Sequence, residues 1–242
     1  MNNFKTTDTV GGVVTQRPAL SRLFEKESID YCCGGKKTLE EVCREKGIDL
    51  TTFIATLKEA SDGNEEMVDT AAMSLSELAD HIEQTHHAYL RSEFPRLDEI
   101  TEKVASVHGK TDSRLYRVRD TFQALAEELL SHMMKEERIL FPMVRQLEGS
   151  NEAPLFHCGT LATIIGQMEK EHDQAGSALE SLRELTDGFT PPEWACNTYR
   201  VLLDTLDNLE RDLHKHIHKE NNILFPRALE MEELKGSTRD RN

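Results

Sequence analysis

One eleven-residue pattern occurs twice and fixes most of what this chain can become. His132-Met133-Met134-Lys135-Glu136-Glu137-Arg138-Ile139-Leu140-Phe141-Pro142 reads H-x-x-K-E-x-x-I-L-F-P, and so does His216-Ile217-His218-Lys219-Glu220-Asn221-Asn222-Ile223-Leu224-Phe225-Pro226. The apolar stripes leading into the two copies also correspond: Val118, Phe122, Leu125 and Leu129 answer to Leu202, Leu206, Leu209 and Leu213. Steps of three and four residues are those of a helix with one face turned inward. Two helices of this chain are therefore versions of one another.

Four long helical patterns run over roughly 75–107, 113–147, 160–186 and 193–230. The breaks are Gly109-Lys110-Thr111-Asp112, the stretch from Gly149 to Gly159, and Asp187-Gly188-Phe189-Thr190-Pro191-Pro192. Short connections between long helices predict an all-α protein built on an antiparallel, up-down-up-down four-helix bundle. Ahead of it, residues 1–60 read as a small helical domain. Pro18 opens one helix there. Thr38 and Glu41 form a capping box for a helix that Gly47 ends, and Asp49-Leu50-Thr51 begins the next. Residues 61–74, polar and containing Asp62-Gly63-Asn64, read as a linker, which leaves 75–232 for the bundle.

The net charge of −15 disfavours nucleic acid and anionic membranes as partners; it suits solubility first, and also a protein that collects cations. No apolar run is long enough to span a bilayer. Met1 to Thr7 lack the apolar core of a signal peptide, so the expected location is the cytoplasm. Five cysteines without a C-x-x-C pair indicate neither a disulfide framework nor a zinc ribbon.

The chemistry lies where polar residues interrupt the apolar stripes. His132 follows Leu129 by three and Glu136 follows His132 by four, so both face inward; His216 and Glu220 do the same. A His-x-x-x-Glu pair can address one metal from a single face. A carboxylate turned into a core is costly unless paired or metal-bound. The third helix contributes His172, on the stripe Leu161, Ile165, Met168, His172, Ala175. In the first helix two histidines compete. The stripe Leu75, Ala79, Ile82 points to His86, whereas Leu90, Phe94, Leu97 continues from His87. The interval from His87 to His172 is nearly that from His132 to His216, which favours His87, but periodicity leaves both open. Four imidazoles and two carboxylates, with no thiolate, fit two linked metal ions of the iron or manganese type, with the glutamates as bridges. A ferritin-like scheme using Glu83…His86 and Glu169…His172 ranks second, because it leaves His132 and His216 without a task.

These residues resemble the hemerythrin-like domain family. Together with Asp30-Tyr31-Cys32-Cys33-Gly34-Gly35 and Asn221-Asn222-Ile223-Leu224-Phe225-Pro226, they resemble more closely the RIC family of iron–sulfur cluster repair di-iron proteins, of the YtfE/ScdA/DnrN type. The resemblance covers nearly the whole chain. It implies two non-haem irons on His87, His132, Glu136, His172, His216 and Glu220, with supporting roles for Glu128, Glu171 and His108. It also implies repair of clusters damaged by oxidative or nitrosative stress, with iron donated rather than a substrate turned over. The alternatives are a module that binds or senses O2 or nitric oxide, and an enzyme reducing nitric oxide or peroxide. Expected partners are damaged iron–sulfur proteins, O2 or nitric oxide as small ligands, and a second copy in a homodimer. Cys32 and Cys33, adjacent on a Gly-rich turn, form a second candidate site, with Lys36 and Lys37 expected to favour thiolate. The plainer reading packs one of the two into a small core; the resemblance favours a functional thiol pair. Cys43 reads as core, and Cys158 and Cys196 as loop residues without a role.

Overall fold

The computed structural model describes residues 4–61, 69–156 and 159–239. Residues 62–68 of the expected linker, and Cys158, lie outside them. The described residues are helical, with a single isolated β-bridge between Thr9 and Thr38.

The N-terminal region contains α1 (Val10–Gln16), a 3-10 turn at Pro18–Leu20, α2 (Ser21–Lys26), α3 (Leu39–Lys46) and α4 (Leu50–Ser61). The local signals act as read. Pro18 opens the 3-10 turn. Thr38 and Glu41 form a reciprocal capping box, and Gly47 ends α3 in the left-handed conformation at φ 69°. Asp49 Oδ1 accepts the Thr52 amide hydrogen at 2.8 Å at the start of α4. Val10, Leu20, Phe24, Tyr31, Leu39 and Leu57 form the core of this region.

The bundle follows. Its first long helix is α5 (Leu75–Ile82) continued by α6 (Ala88–His108), and its second is α7 (Arg114–Lys135) continued by α8 (Phe141–Gly149). The third is α9 (Leu161–Leu185), and the fourth is α10 (Asn197–Lys219) continued by α11 (Phe225–Arg239). The fourth helix starts four residues later than its sequence pattern. The Ala195 amide turns back to the Pro192 carbonyl at 2.9 Å, and the Arg200 guanidinium donates to the carbonyls of Pro192, Glu193 and Ala195, so 192–195 is a braced turn. At its other end this helix runs on to Arg239.

Three of the four long helices carry one π-turn: Glu83–His87, Glu136–Leu140 and Glu220–Leu224. Each begins or ends on a candidate ligand. A π-turn adds a residue and so slips the phase of everything after it. The two competing stripes of the first helix, one leading to His86 and one from His87, are the two sides of that slip.

The buried apolar residues of the bundle form two separate clusters. One contains Leu90, Phe94, Leu129, Met133, Ala175, Leu209 and Leu213; the other contains Leu78, Ile82, Leu140, Phe141, Met168, Ile223 and Phe225. In every long helix the candidate ligands lie at the junction of the two clusters.

The N-terminal region is fastened to the bundle at the π-turn of the fourth helix. Asn222 Nδ2 donates to the Cys32 carbonyl at 2.9 Å, and His218 Nδ1 donates to the Tyr31 carbonyl at 3.3 Å. Two buried glycines make room for Asn222. A Cβ on Gly11 would lie 2.3 Å from its Oδ1, and one on Gly35 would lie 2.2 Å from the same atom and 2.7 Å from the Tyr31 carbonyl. Gly35→Ala is therefore expected to destabilise this contact by about 1–3 kcal/mol, as overpacking does. Hydrogen exchange of 29–36 should accelerate in the variant while α7 and α9 stay protected; unchanged exchange would refute the clamp.

Candidate metal centre

Six side chains meet midway along the bundle: His87 from the first helix, His132 and Glu136 from the second, His172 from the third, and His216 and Glu220 from the fourth. All are at most 2% exposed. Their donor atoms form two sets, His87, Glu136, His216 and Glu220, and His132, Glu136, His172 and Glu220; within each set the atoms lie within 4.8 Å of one another. Both glutamates belong to both sets. Glu136 Oε2 lies 3.3 Å from His87 Nε2 and its Oε1 lies 3.2 Å from His132 Nε2. Glu220 Oε2 lies 3.1 Å from His172 Nε2 and its Oε1 lies 3.1 Å from His216 Nε2. Each carboxylate thus spans the two sets with one oxygen apiece.

The residues fit metal ions better than they fit one another. Both Glu136 oxygens, Glu220 Oε2 and His87 Nε2 are enclosed and have no hydrogen-bond partner of adequate geometry among the described residues. Enclosed acceptors of this kind are expensive unless a cation or donor meets them. Nitrogen and oxygen donors without thiolate suit first-row metals such as iron or manganese. Without metal, protons balance the charge. Burial disfavours a charged His132, but Glu136 and Glu220 outweigh it and lift its pKa to about 9. His87 is raised against the same burial by Glu136. Burial also opposes the Glu220 carboxylate, yet His216 and His172 hold its pKa well below the usual range.

The outer nitrogens orient the rings. Glu137 accepts from His87 Nδ1 at 2.7 Å, Glu171 from His132 Nδ1 at 2.8 Å, and Asn221 Oδ1 from His172 Nδ1 at 2.8 Å. These acceptors require the proton on Nδ1 and so leave Nε2 to face inward. His216 Nδ1 is enclosed without a partner among the described residues. Glu171 is itself held by Lys135 and Gln167 and, although burial opposes its charge, titrates near 2.

His86 belongs to neither set. Its Nδ1 donates to Asp212 at 2.9 Å and its Nε2 accepts from Lys219 at 2.6 Å, which occupies both nitrogens. The ferritin-like scheme also fails on geometry, since Glu83 pairs with Arg145 at 2.7 Å and Glu169 with Lys36 at 3.1 Å. Of the expected supporting residues, only Glu171 touches a ligand. Glu128 is exposed, because the inward stripe at that turn is Leu125 and Leu129. His108 ends α6, about 30 Å along the axis from His87, and packs against Trp194 and Tyr199. Glu137 and Asn221 were not read from the sequence. The repeat carries the signal, for each directly follows a repeated glutamate.

The thiol pair sits on a loop wrapped around Asp30, whose carboxylate accepts the amides of Cys32, Cys33 and Gly34. The two Sγ atoms are 3.9 Å apart. With Asp30 they form a third set of donors within 4.8 Å. The expectation that lysines favour thiolate here is corrected by the structure: Lys36 pairs with Glu169 and Lys37 with Glu45. Its proximity to Cys33, its burial and Asp30 instead push the Cys32 thiol well up. The pair lines a cleft of about 160 Å³ that Asn221 and Asn222 also border.

A four-helix bundle with paired, buried imidazole–carboxylate sets defines a hemerythrin-like, cation-binding class of protein. Residues 78–228 match the hemerythrin HHE cation binding domain, and residues 6–61 match the ScdA_N domain of unknown function. The chain is 40% identical over 220 residues to the iron-sulfur cluster repair protein YtfE of Enterobacter sp. (strain 638), covering 91% of this chain and 96% of that protein. It is 37% identical over 221 residues to YtfE of Pectobacterium carotovorum and 36% over 222 to that of Yersinia pseudotuberculosis, with the same coverage. The chain belongs to this YtfE family. No helix among the described residues is long and apolar enough to cross a membrane.

The raised His132 gives a pH signature in metal-free protein. Its protonation contributes stability fully present below the unfolded value of about 6.5 and lost as pH rises through about 9. Denaturant midpoints of metal-free protein should therefore fall between pH 6.5 and 9, and His132→Gln should flatten that fall. A midpoint independent of pH across this window would refute the arrangement.

Proposed function

We propose that this chain repairs damaged iron–sulfur clusters by holding two irons in the bundle and giving up iron to the damaged site. The carrying observation is the pair of buried donor sets that share Glu136 and Glu220. Bound there, a di-iron centre supplies non-haem iron in two linked sites. The chain's own residues decide how it is kept. His87, His132, His172 and His216 present Nε2 inward and would ligate, and Glu136 and Glu220, each with one oxygen in each donor set, would hold both ions. Because each of Glu136 and Glu220 reaches both donor sets from one side chain, these two residues would couple the two sites. Relatives named for iron–sulfur cluster repair support the assignment across nearly the full length of this chain. On this reading residues 1–60 form the thiol-bearing domain, 61–74 the linker and 75–232 the di-iron bundle. Cys32 and Cys33 stand at the cleft beside Asn221, the partner of His172, and are the outer station where a thiol meets iron or nitric oxide.

Anaerobically purified protein should contain about two irons per chain, lost in the Glu136→Ala/Glu220→Ala variant. Ferrous-loaded protein should restore activity to a cluster enzyme inactivated by nitric oxide or peroxide, in proportion to the iron it loses. Equal repair by metal-free protein would end the donation reading. Sustained consumption of nitric oxide or peroxide with an added electron donor would replace it by a reductase. Cys32→Ser and Cys33→Ser should keep the iron content and slow repair; unchanged repair would remove the thiols from the function.

A further inference from the structure

The repeat makes the centre nearly two-fold symmetric, and the symmetry fails among the outer partners of the imidazoles. Under the repeat, His132 corresponds to His216, Glu136 to Glu220 and Glu137 to Asn221, and in the other two helices His87 corresponds to His172. The outer partners follow this relation in place though not in charge: the Glu137 carboxylate holds His87 and the neutral Asn221 amide holds His172. Even the covering rings follow it, with Phe141 stacked on His87 at 5.8 Å and Phe225 on His172 at 6.0 Å. The residue before His172 is Glu171, which holds His132. The residue before His87 is His86. It lies flat against His216, with ring centroids 5.2 Å apart and planes 2° apart, and offers its Nδ1 no acceptor.

We propose that the two halves of the centre are unequal by construction: His87 and His216 form the half that releases its ion, and His132 and His172 the half that keeps it. The inference rests on the di-iron reading above. Outer partners raise the basicity of a ligating imidazole and fix its direction; their removal typically costs 10–100-fold in metal affinity. The retaining half has both of its partners. Glu171 is locked by Lys135 and Gln167. Asn221 adjoins Asn222, which the N-terminal region clamps between Gly11 and Gly35. The releasing half has one partner of two. Behind His216, His86 joins the Lys219 ammonium to Asp212, so no unbalanced negative charge supports the imidazole.

The test is anaerobic extraction of the ferrous-loaded, full-length protein by a ferrous chelator, followed by colour. Two phases of one iron each are expected, their rates differing about 10-fold or more. His87→Ala should retain only the slow phase and His172→Ala only the fast one. Glu171→Gln should accelerate the slow phase, and His86→Glu, which supplies the missing acceptor, should retard the fast one. If His86→Glu fails to fold, the two alanine variants and Glu171→Gln still decide the order. Two irons leaving at one rate, or the reverse assignment in the alanine variants, would overturn the inference while leaving the binuclear reading intact. Fewer than two irons per chain would overturn both.

Discussion

Two carboxylates buried at the middle of a helical bundle set the terms for the rest of this structure. Glu136 and Glu220 are fully enclosed, and nothing in an apolar core can stabilise them. Four imidazoles approach them, one from each long helix, and each imidazole in turn needs its second nitrogen directed outward. Glu137, Glu171 and Asn221 do that for three of the four. The π-turns serve the same end. Each inserts a residue beside a ligand, and the apolar stripe resumes beyond it in a shifted phase.

Much of this was legible in the sequence because the constraint acts on local spacing. His-x-x-x-Glu on an inward face, repeated in two related helices, pointed to the bundle and to four of the residues that meet at its middle, His132, Glu136, His216 and Glu220, without any distance in hand. The capping box at Thr38 and the glycine stop at Gly47 were legible for a similar reason, since they bind neighbours in the chain. The choice between His86 and His87 was not settled by periodicity, because a π-turn between Glu83 and His87 breaks the period there. Read in hindsight, two stripes out of phase by one residue were the signature of that turn. Glu128 and His108 came in only with the resemblance, and the structure places neither against a ligand: helix rotation puts Glu128 on the outer face and helix length puts His108 at the far end. The lysines beside Cys32 and Cys33 lie on the same loop, but their partners come from other helices, which no local pattern encodes.

The contact between the two parts of the chain is narrow and chemically specific. Asn221 and Asn222 are consecutive, and they have different partners. One orients His172 and the other holds the backbone that carries the thiols. A single turn of the fourth helix therefore sets both the inner ring geometry and the position of the cysteine loop.

The polar layer also cuts the hydrophobic interior in two, so that among the described residues no buried apolar cluster runs unbroken from one end of the bundle to the other. Whatever bonds cross that waist act as a rivet between two plugs of core. If the rivet is iron, as proposed, then metal-binding energy is part of folding energy. The donor's cargo and its fastening are then the same atoms, and a molecule that has delivered its iron is physically a softer object than one that has not.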